Sequence, residues 1–282
     1  MINMTHQPLV ASYRKDLDWC FHLVTSLRLF SEGFLPPVVV VPSADERVFR
    51  QVLVTADPKV IIRTSDVPRQ YQNYAWAPFM RAQIAMMSGD LHCTGDVVWL
   101  FGSDCFVTGA LRPSDLMVSG RPVMPFSSYA ELSTGHPACL VWRKGSTDAL
   151  GWTPEHEFMR RLPLLYPRSL YPAVRRHVAS GSDRLEDFEA RVYQLGTHKN
   201  FSESNVMGAF AWKEMPDLYE WFLLDGSGYP IFQKMFPVNM IQFWSHGGLD
   251  RPCDQYHECH GKTPRSVMNE VYARWRAGVR RT

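Results

Sequence analysis

Apolar segments alternate with amphipathic segments along the first hundred residues of the chain. Four of the apolar segments have the length and composition of buried strands: PLVASY (8–13), PPVVVVP (36–42), KVIIR (59–63) and DVVWLF (96–101). Their apolar residues are continuous, which is typical of strands that are covered on both faces. Between them, residues 16–30, the stretch from Asp45 and residues 75–88 predict helices. This order predicts an α/β fold with a mostly parallel central sheet flanked by helices.

The second half of the chain has a less regular pattern. Apolar runs predict strands at PVMPF (122–126), ACLVW (138–142) and FWSHGG (243–248). Helices are predicted at residues 152–162, with Thr153 as the N-cap, and at residues 183–193. Because no linker interrupts the pattern, we expect a single domain over residues 1–282 with a mixed, irregular C-terminal half.

Composition excludes several classes of protein. The 282 residues are 45% hydrophobic, which is ample for a core. Lys and Arg total 30 against 28 Asp and Glu, so bulk positive charge does not predict nucleic-acid binding. No apolar run approaches the roughly 20 residues of a membrane span, and the N-terminus does not resemble a signal peptide. We therefore expect a cytoplasmic protein, and its 6 dispersed cysteines are expected to be free thiols.

The apolar run that ends at Phe101 is followed directly by Gly102, Ser103 and Asp104. Ligands bind at the carboxyl ends of parallel strands, and small residues let a ligand approach the backbone. Asp104 is therefore a candidate metal ligand or general base. The alternative is that Asp104 only caps a turn.

Two further polar residues adjoin apolar segments and extend this candidate site. His246 ends the strand predicted at 243–248, and Glu203 lies in a polar turn, NFSES (200–204). Metal-assisted group transfer needs a metal to neutralise an anionic leaving group and a separate carboxylate to accept a proton. Asp104, His246 and Glu203 supply these residue types. The alternative for Glu203 is a structural role, hydrogen-bonded to the backbone of its own turn.

Several motifs follow one another in an order that is similar to that of GT-A-fold glycosyltransferases. They are Ser12, Asp16, TSLRLF (25–30), VVVVPSADE (38–46), GSD (102–104) and FSESNVMGAFAW (201–212). The chain most resembles a group of uncharacterised bacterial and viral glycosyltransferase-like proteins, over roughly residues 8–250. The resemblance implies a nucleotide-sugar-binding half at about 8–115, an acceptor half at about 116–250 and a C-terminal loop and basic helix at 251–282. One departure is that the first carboxylate of the family's D-x-D turn is replaced by Gly102.

The resemblance also implies roles for individual residues. Asp104 and His246 would hold Mn²⁺ or Mg²⁺ against the diphosphate of UDP or another nucleotide. Glu203 would deprotonate the acceptor hydroxyl in an inverting transfer. The nucleotide sugar would lie against Ala11, Ser12, Tyr13, Asp16, Arg63, Arg81, Gly102 and Ser103.

Two other classes of function compete with an active glycosyltransferase. The missing carboxylate at Gly102 leaves open a non-catalytic nucleotide- or sugar-binding protein on a degenerate GT-A scaffold. A nucleotidyltransferase would need a phosphate loop rich in Gly and Arg near the first strand, and ASYRKD (11–16) is not one.

A zinc site would use residues whose spacing is not that of a usual zinc finger: Cys253, His257, Cys259 and His260.

Arginines cluster late in the chain, although the net charge is only +2. They are Arg160, Arg161, Arg168, Arg175, Arg176, Arg274, Arg276, Arg280 and Arg281. Such a cluster favours a polyanionic acceptor, such as a hydroxylated base in phage-type modified DNA. The alternatives are a saccharide or lipid-linked glycan acceptor, with the arginines forming a solvated surface.

Overall fold

The computed structural model describes residues 4–135, 137–160, 162–195, 200–243, 248–252 and 261–278. In these ranges the strands are His6–Ala11 (β1), Val38–Val41 (β2), Ile61–Thr64 (β3), Val97–Phe101 (β4), Cys105–Val107 (β5), Met117–Val118 (β6), Arg121–Ser128 (β7), His156–Glu157 (β8), Leu164–Pro167 (β9), Glu220–Leu223 (β10) and Met240–Gln242 (β11). The α-helices are Leu17–Phe30 (α1), Ser43–Ala56 (α2), Ala77–Met86 (α3), Gly89–His92 (α4), Tyr129–Gly135 (α5), Val141–Leu150 (α6), Leu170–Val178 (α7), Leu185–Leu195 (α8), Glu203–Glu214 (α9), Gly228–Met235 (α10) and Pro264–Arg276 (α11).

A five-stranded sheet in the order β3-β2-β1-β4-β9 forms the centre of the molecule. The strands β1 to β4 pair in parallel, and β9 closes the sheet antiparallel to β4. The predicted α/β fold with a mostly parallel central sheet is therefore confirmed. Because the four parallel strands point the same way, their carboxyl ends meet along one edge of the sheet, which is the edge where ligands bind in such folds.

Helices cover both faces of this sheet, which explains why its strands are continuously apolar. Successive side chains of a strand point to opposite faces. Leu9 and Val38 pack into a core with Met80 of α3, whereas Val10 and Val39 pack on the other face with residues of α1 and α2. All four valines of β2 are fully buried as a result.

Smaller sheets flank the central one in the second half of the chain. The strand β7 pairs in parallel with β10 and antiparallel with β6 and β8. The strand β11 pairs antiparallel with β5, which directly follows the turn after β4. Helix α9 packs against α6, α7 and β8, so it is held between the central sheet and these outer elements. None of the helices in the described part of the chain combines the length and apolar composition needed to cross a membrane.

Two elements predicted from the sequence are wrong in type. The run ACLVW was predicted as a strand, but Pro137–Leu140 form a 3-10 turn and α6 follows. The buried positions of α6 recur at 145, 146, 149 and 150, and this helical period lies beyond the five apolar residues that suggested a strand. Residues 152–162 were predicted as a helix, but residues 156 and 157 form β8. The buried ring of Phe158 packs against Phe126, and this tertiary contact overrides the capping signal of Thr153.

Two further predictions are corrected in position. The strand predicted at 243–248 lies earlier, at Met240–Gln242, because its pairing with Cys105–Val107 ends there. Residues 244–247, and with them His246, lie outside the described residues. Glu203 is the first residue of α9 and not part of a turn before the helix, since Ser202 acts as the N-cap by accepting a hydrogen bond from the Asn205 N–H.

Candidate active site

A tight turn brings Asp104 to the carboxyl edge of the central sheet. The N–H of Cys105 donates to the carbonyl oxygen of Gly102 over 3.0 Å, which places Ser103 and Asp104 at the middle of the turn. A Cβ built at Gly102 would lie 2.6 Å from Oδ1 of Asp104. The carboxylate of Asp104 therefore occupies the space that any side chain at position 102 would need. This contact explains why a glycine fits where the D-x-D turn has its first carboxylate.

A hydrogen bond joins this turn to the segment that follows β1. Ser103 Oγ donates to Asp16 Oδ2 over 2.9 Å, and both side chains are buried. Asp16 also contributes, after burial, to raising the pKa of Tyr13, whose ring is 40% exposed. The structure thus brings Tyr13, Asp16, Ser103 and Asp104 to one place, as expected for residues at the ends of neighbouring parallel strands.

Arg81 holds two of the loops at this edge from below. It is 2% exposed, and its Nη2 donates to the carbonyl oxygen of Ser12 over 2.7 Å. Its Nη1 makes a longer contact of 3.5 Å to the carbonyl oxygen of Ser65, in the loop after β3. Burial lowers the pKa of Arg81. Arg81 is therefore a buried residue, and its contacts with Ser12 and Ser65 are to main-chain atoms.

The remaining predicted donor-binding residues lie on the same strands. Ala11 ends β1 opposite Val40, and it is half-buried. Arg63 is exposed on the edge strand β3. Its charge lies near His92, where it contributes after burial to lowering the pKa of His92 to about 4. The charge of Arg63 therefore lies near α4.

Glu203 is buried at the N-terminus of α9. Its N–H donates to Oε1 of Gln83 over 2.9 Å. Its carboxylate accepts hydrogen bonds from the side chain of Gln83 and from the N–H groups of Glu203 and Ser204. Burial is the largest effect and raises the pKa of Glu203 to about 7, although the hydrogen bonds act in the opposite direction. Such a carboxyl exchanges a proton near neutral pH, and its bonds to backbone N–H groups also fit the structural role considered for it.

The described residues do not complete a metal site. No three His, Cys, Asp or Glu side chains in these ranges lie close enough together to hold a metal ion. The proposed second ligand, His246, and the four possible zinc ligands between 253 and 260 lie outside the described residues. The chain nevertheless approaches Asp104 just before that gap, because Gln242 pairs with Cys105 and the N–H of Phe243 donates to the carbonyl oxygen of Asp104 over 3.0 Å.

Sequence reasoning missed the buried polar residues around Glu203. Gln83 contacts it from α3, and Asn205 fixes the same helix end by accepting a hydrogen bond from the N–H of Phe158 over 2.7 Å. Glu157, which is fully buried, pairs with Arg160 and accepts from Asn205 Nδ2 over 3.4 Å. Apart from Glu157 and Arg160, these partners are 47 to 120 residues apart along the chain, so no local spacing connects them.

Comparison with known proteins places this geometry in a fold class. No protein-family model matches the sequence, and no curated protein matches it. The structure is similar to that of the galactosyltransferase LgtC in complex with donor and acceptor sugar analogues, with a TM-score of 0.52, 10% identity and 95% of each chain covered. An active-site mutant of LgtC matches with a TM-score of 0.55, 10% identity and the same coverage of both chains. Mouse xyloside xylosyltransferase 1 is less similar, with a TM-score of 0.43 and 11% identity over 84% of this chain and 97% of its own.

The chain therefore has the fold of these glycosyltransferases, the GT-A fold that the order of its sequence motifs predicted. At 10% identity the similarity establishes the fold and not the reaction.

Proposed function

We propose that the protein is a glycosyltransferase that moves a sugar from a nucleotide-sugar donor to a hydroxyl group of an acceptor, with inversion at the anomeric carbon. The observation that carries this proposal is the pair of differently placed carboxylates. Asp104 lies in the turn at the carboxyl edge of the sheet, and Glu203 lies in a buried niche at a helix N-terminus with its pKa raised to about 7. Group transfer to a hydroxyl needs these two different environments, one for the leaving group and one for the proton.

The donor binds along the carboxyl ends of β1 and β4 in this proposal. Tyr13 offers an exposed ring to the nucleobase, beside Ala11 and Ser12, and Asp16 with Ser103 forms the floor of the site. Arg81 acts by holding the Ser12 carbonyl, so it shapes the donor loop. Arg63 remains a proposed contact to the nucleotide from the edge of the sheet.

Asp104 and His246 are the proposed ligands of Mn²⁺ or Mg²⁺, which would supply positive charge against the diphosphate leaving group. His246 follows Phe243, whose N–H donates to the carbonyl oxygen of Asp104, by three positions, and three residues of chain span at most about 10 Å. An oxygen ligand with one imidazole suits Mn²⁺. The donor diphosphate would provide further oxygen ligands.

Glu203 is the proposed general base. It accepts the proton of the acceptor hydroxyl while that oxygen forms its bond to the anomeric carbon, and the bond from this carbon to the diphosphate oxygen breaks. A pKa near the working pH is the most effective value for such a base, because the group is then ionised in an appreciable fraction and still basic enough. The burial of Glu203 supports this assignment.

A neutral saccharide is the acceptor that the charges support best. Three of the six described members of the arginine cluster form ion pairs: Arg160 with Glu157, Arg175 with Asp90 at 2.8 Å and Arg176 with Asp183 at 2.5 Å. Paired arginines offer little net charge to a polyanion such as DNA. A DNA acceptor instead requires binding that weakens steeply with salt, so a titration of DNA at two salt concentrations separates these two acceptors.

The second candidate is a protein that binds a nucleotide sugar without transferring it. Gly102 favours it, since the turn has lost one carboxylate and the described residues contain no complete metal site. Both candidates predict binding of the donor, and only the first predicts release of nucleoside diphosphate that depends on Glu203.

Replacement of the proposed base tests the first candidate. Nucleotide sugars are first screened by thermal shift with Mn²⁺, and the sugar that binds is assayed for transfer and for nucleoside diphosphate release. Glu203→Gln keeps the size of the side chain and removes the proton acceptor, so the rate should fall by about 10²- to 10⁴-fold while donor binding persists.

Glu214→Gln is the matched control, because Glu214 is exposed at the other end of the same helix. It should keep the wild-type rate. Full activity of Glu203→Gln would rule out the base assignment, and donor binding without any transfer by the wild-type protein would favour the binding-protein alternative.

A further inference from the structure

The side-chain amide of Gln83 contacts Glu203 in two directions. Its Oε1 accepts the N–H of Glu203 over 2.9 Å, and its NH₂ group donates to the Glu203 carboxylate. The first contact fixes the orientation of the amide, because only the oxygen can accept from an N–H. The NH₂ group is then necessarily turned to the carboxylate. Gln83 is 5% exposed, so water does not compete freely for either bond.

Helix α3 places Gln83 between the two halves of the proposed site. Residues two positions apart on a helix point about 200° apart, so Arg81 and Gln83 leave α3 in nearly opposite directions. Arg81 reaches the carbonyl oxygen of Ser12 after β1, and Gln83 reaches α9. Both are buried, and α3 packs against both β1 and α9. One helix thus contacts both the loop proposed to bind the donor and the proposed base, and so fixes their relative positions.

The charged and titratable groups that face α9 leave Gln83 as the polar side chain in direct contact with the Glu203 carboxylate among the described residues. They are Tyr166 of β9, Glu157 of β8 paired with Arg160, and His177 of α7. Arg81 of α3 is instead turned to the carbonyl oxygen of Ser12, and Arg143 of α6 donates to the carbonyl oxygen of Pro154. Tyr166 is buried, and Glu203 contributes to raising its pKa. Glu157 is satisfied by Arg160 and Asn205, and His177 meets α9 at Phe210, two turns beyond Glu203.

We propose that Gln83 is the positioning residue of the proposed base: it orients the Glu203 carboxylate and stabilises its ionised form, so that the base is competent near neutral pH. This inference rests on the proposed function, in which Glu203 accepts the proton. It adds the residue that determines the pH range in which Glu203 is ionised and able to accept the proton. A hydrogen bond donated to a carboxylate favours the charged form. The deep burial of Glu203 opposes ionisation, so the loss of even one donor matters.

Two substitutions at position 83 separate this role from simple packing. Gln83→Met keeps the approximate volume and removes both hydrogen bonds, whereas Gln83→Glu keeps the shape and replaces the donor with a second carboxyl. Both should move the acidic limb of the pH–rate profile to higher pH. For Gln83→Met we expect about one pH unit, which corresponds to about 1.4 kcal/mol. For Gln83→Glu we expect a larger move, because two neighbouring carboxyls share one proton.

Gln7→Met is the matched control. Gln7 is also a buried glutamine, and it accepts the N–H groups of Thr94 and Gly95 at the opposite end of the sheet. Loss of the Gln7 side-chain hydrogen bonds should lower the free energy of unfolding and leave the acidic limb of the pH–rate profile at its wild-type position.

A second readout needs no activity. The protonated-carboxyl band of Glu203 is followed by infrared difference spectroscopy as a function of pH, and it is assigned by its absence in Glu203→Gln. An upward shift of its midpoint in both Gln83 variants supports the proposal. An unchanged midpoint, or an equal shift in Gln7→Met, overturns it. Should Glu203→Gln keep full transfer activity, the base assignment fails, and the infrared titration still decides whether Gln83 controls the ionisation of Glu203.

Discussion

Gly208 is the position where a single methyl group would most directly disturb the helix that carries Glu203. It lies in the middle of α9, five residues after Glu203, and it faces the ring of Phe158. A Cβ built at Gly208 would lie 2.3 Å from Cγ, 2.5 Å from Cβ and 2.8 Å from Cδ1 of Phe158. These separations are all too short for carbon atoms, so something must move in Gly208→Ala.

Two opposing effects determine how much Gly208→Ala changes the free energy of unfolding. Alanine is favoured over glycine inside a helix by about 1 kcal/mol. Overpacking of a core costs about 1–3 kcal/mol, and the upper end applies here because rotation about χ1 of Phe158 moves the ring but not its Cβ. The helix itself must therefore shift. We expect Gly208→Ala to lower the free energy of unfolding by about 2 kcal/mol.

Urea unfolding followed by circular dichroism measures this difference. Gly135→Ala is the matched control, because Gly135 also lies in a helix and a Cβ there would meet nothing within 4 Å. It should be neutral or slightly stabilising. The double variant with Phe158→Leu should recover part of the loss, since the clashing ring is gone. A Gly208→Ala protein as stable as the wild type would refute the reasoning, because it would mean that helix propensity outweighs the contact with Phe158.

The remaining predictions concern the two carboxylates. A nucleoside diphosphate at a hundredfold excess over its dissociation constant should stabilise the wild type by about 2.7 kcal/mol, with a larger thermal shift in Mn²⁺ than in EDTA, and Asp104→Asn should abolish the metal dependence. Gly102→Ala should also weaken the metal dependence of the thermal shift, since the new Cβ displaces the Asp104 carboxylate. Equal thermal shifts in EDTA and in Mn²⁺ for the wild type would contradict the metal assignment. Because folding raises the pKa of Glu203 from 4.5 to about 7, the folded state binds the proton more tightly, and stability should fall by about 3 kcal/mol as pH rises from 4.5 to 7. Urea titrations should show that Glu203→Gln removes this dependence and is more stable than the wild type at pH 8; an unchanged slope would show that other groups produce it.

The central sheet could be predicted from the sequence because its signals are local. The four valines at 38–41 and the run at 97–101 are apolar without interruption, and helices with their own period lie between the parallel strands. The outer elements could not be predicted in the same way. Residues 156 and 157 become a strand because β7 offers them a partner, and Phe158 is placed by rings that lie far away in sequence. Pro163 directly precedes the strand β9 and Pro167 is its last residue, and these prolines hid the strand in the sequence.

The residues of the candidate site also divide into those that a local sequence pattern reveals and those that only distant contacts place. Asp104 could be found because a strand end followed by small residues is a local pattern. The hydrogen bond between Ser103 and Asp16 follows from the parallel order of β1 and β4, although the sequence does not specify that pair. Gln83 had no signal at all, since it is one of two polar residues, with Arg81, in a mainly apolar helix, and its partner lies 120 residues later.

The order of strands in the central sheet has a consequence for the synthesis of the chain. The strand β4 ends at Phe101, but its second neighbour, β9, ends at Pro167, which is 66 residues later. At about 5–20 residues per second, the ribosome leaves that flank of β4 without its partner for roughly 3 to 13 s. The exposed edge is apolar, and unpaired apolar edges recruit strands from neighbouring chains. High expression levels should therefore make unfinished chains associate through the unpaired edge of β4. Slow translation between residues 101 and 167 should lower the yield of folded protein more than a pause placed after β9.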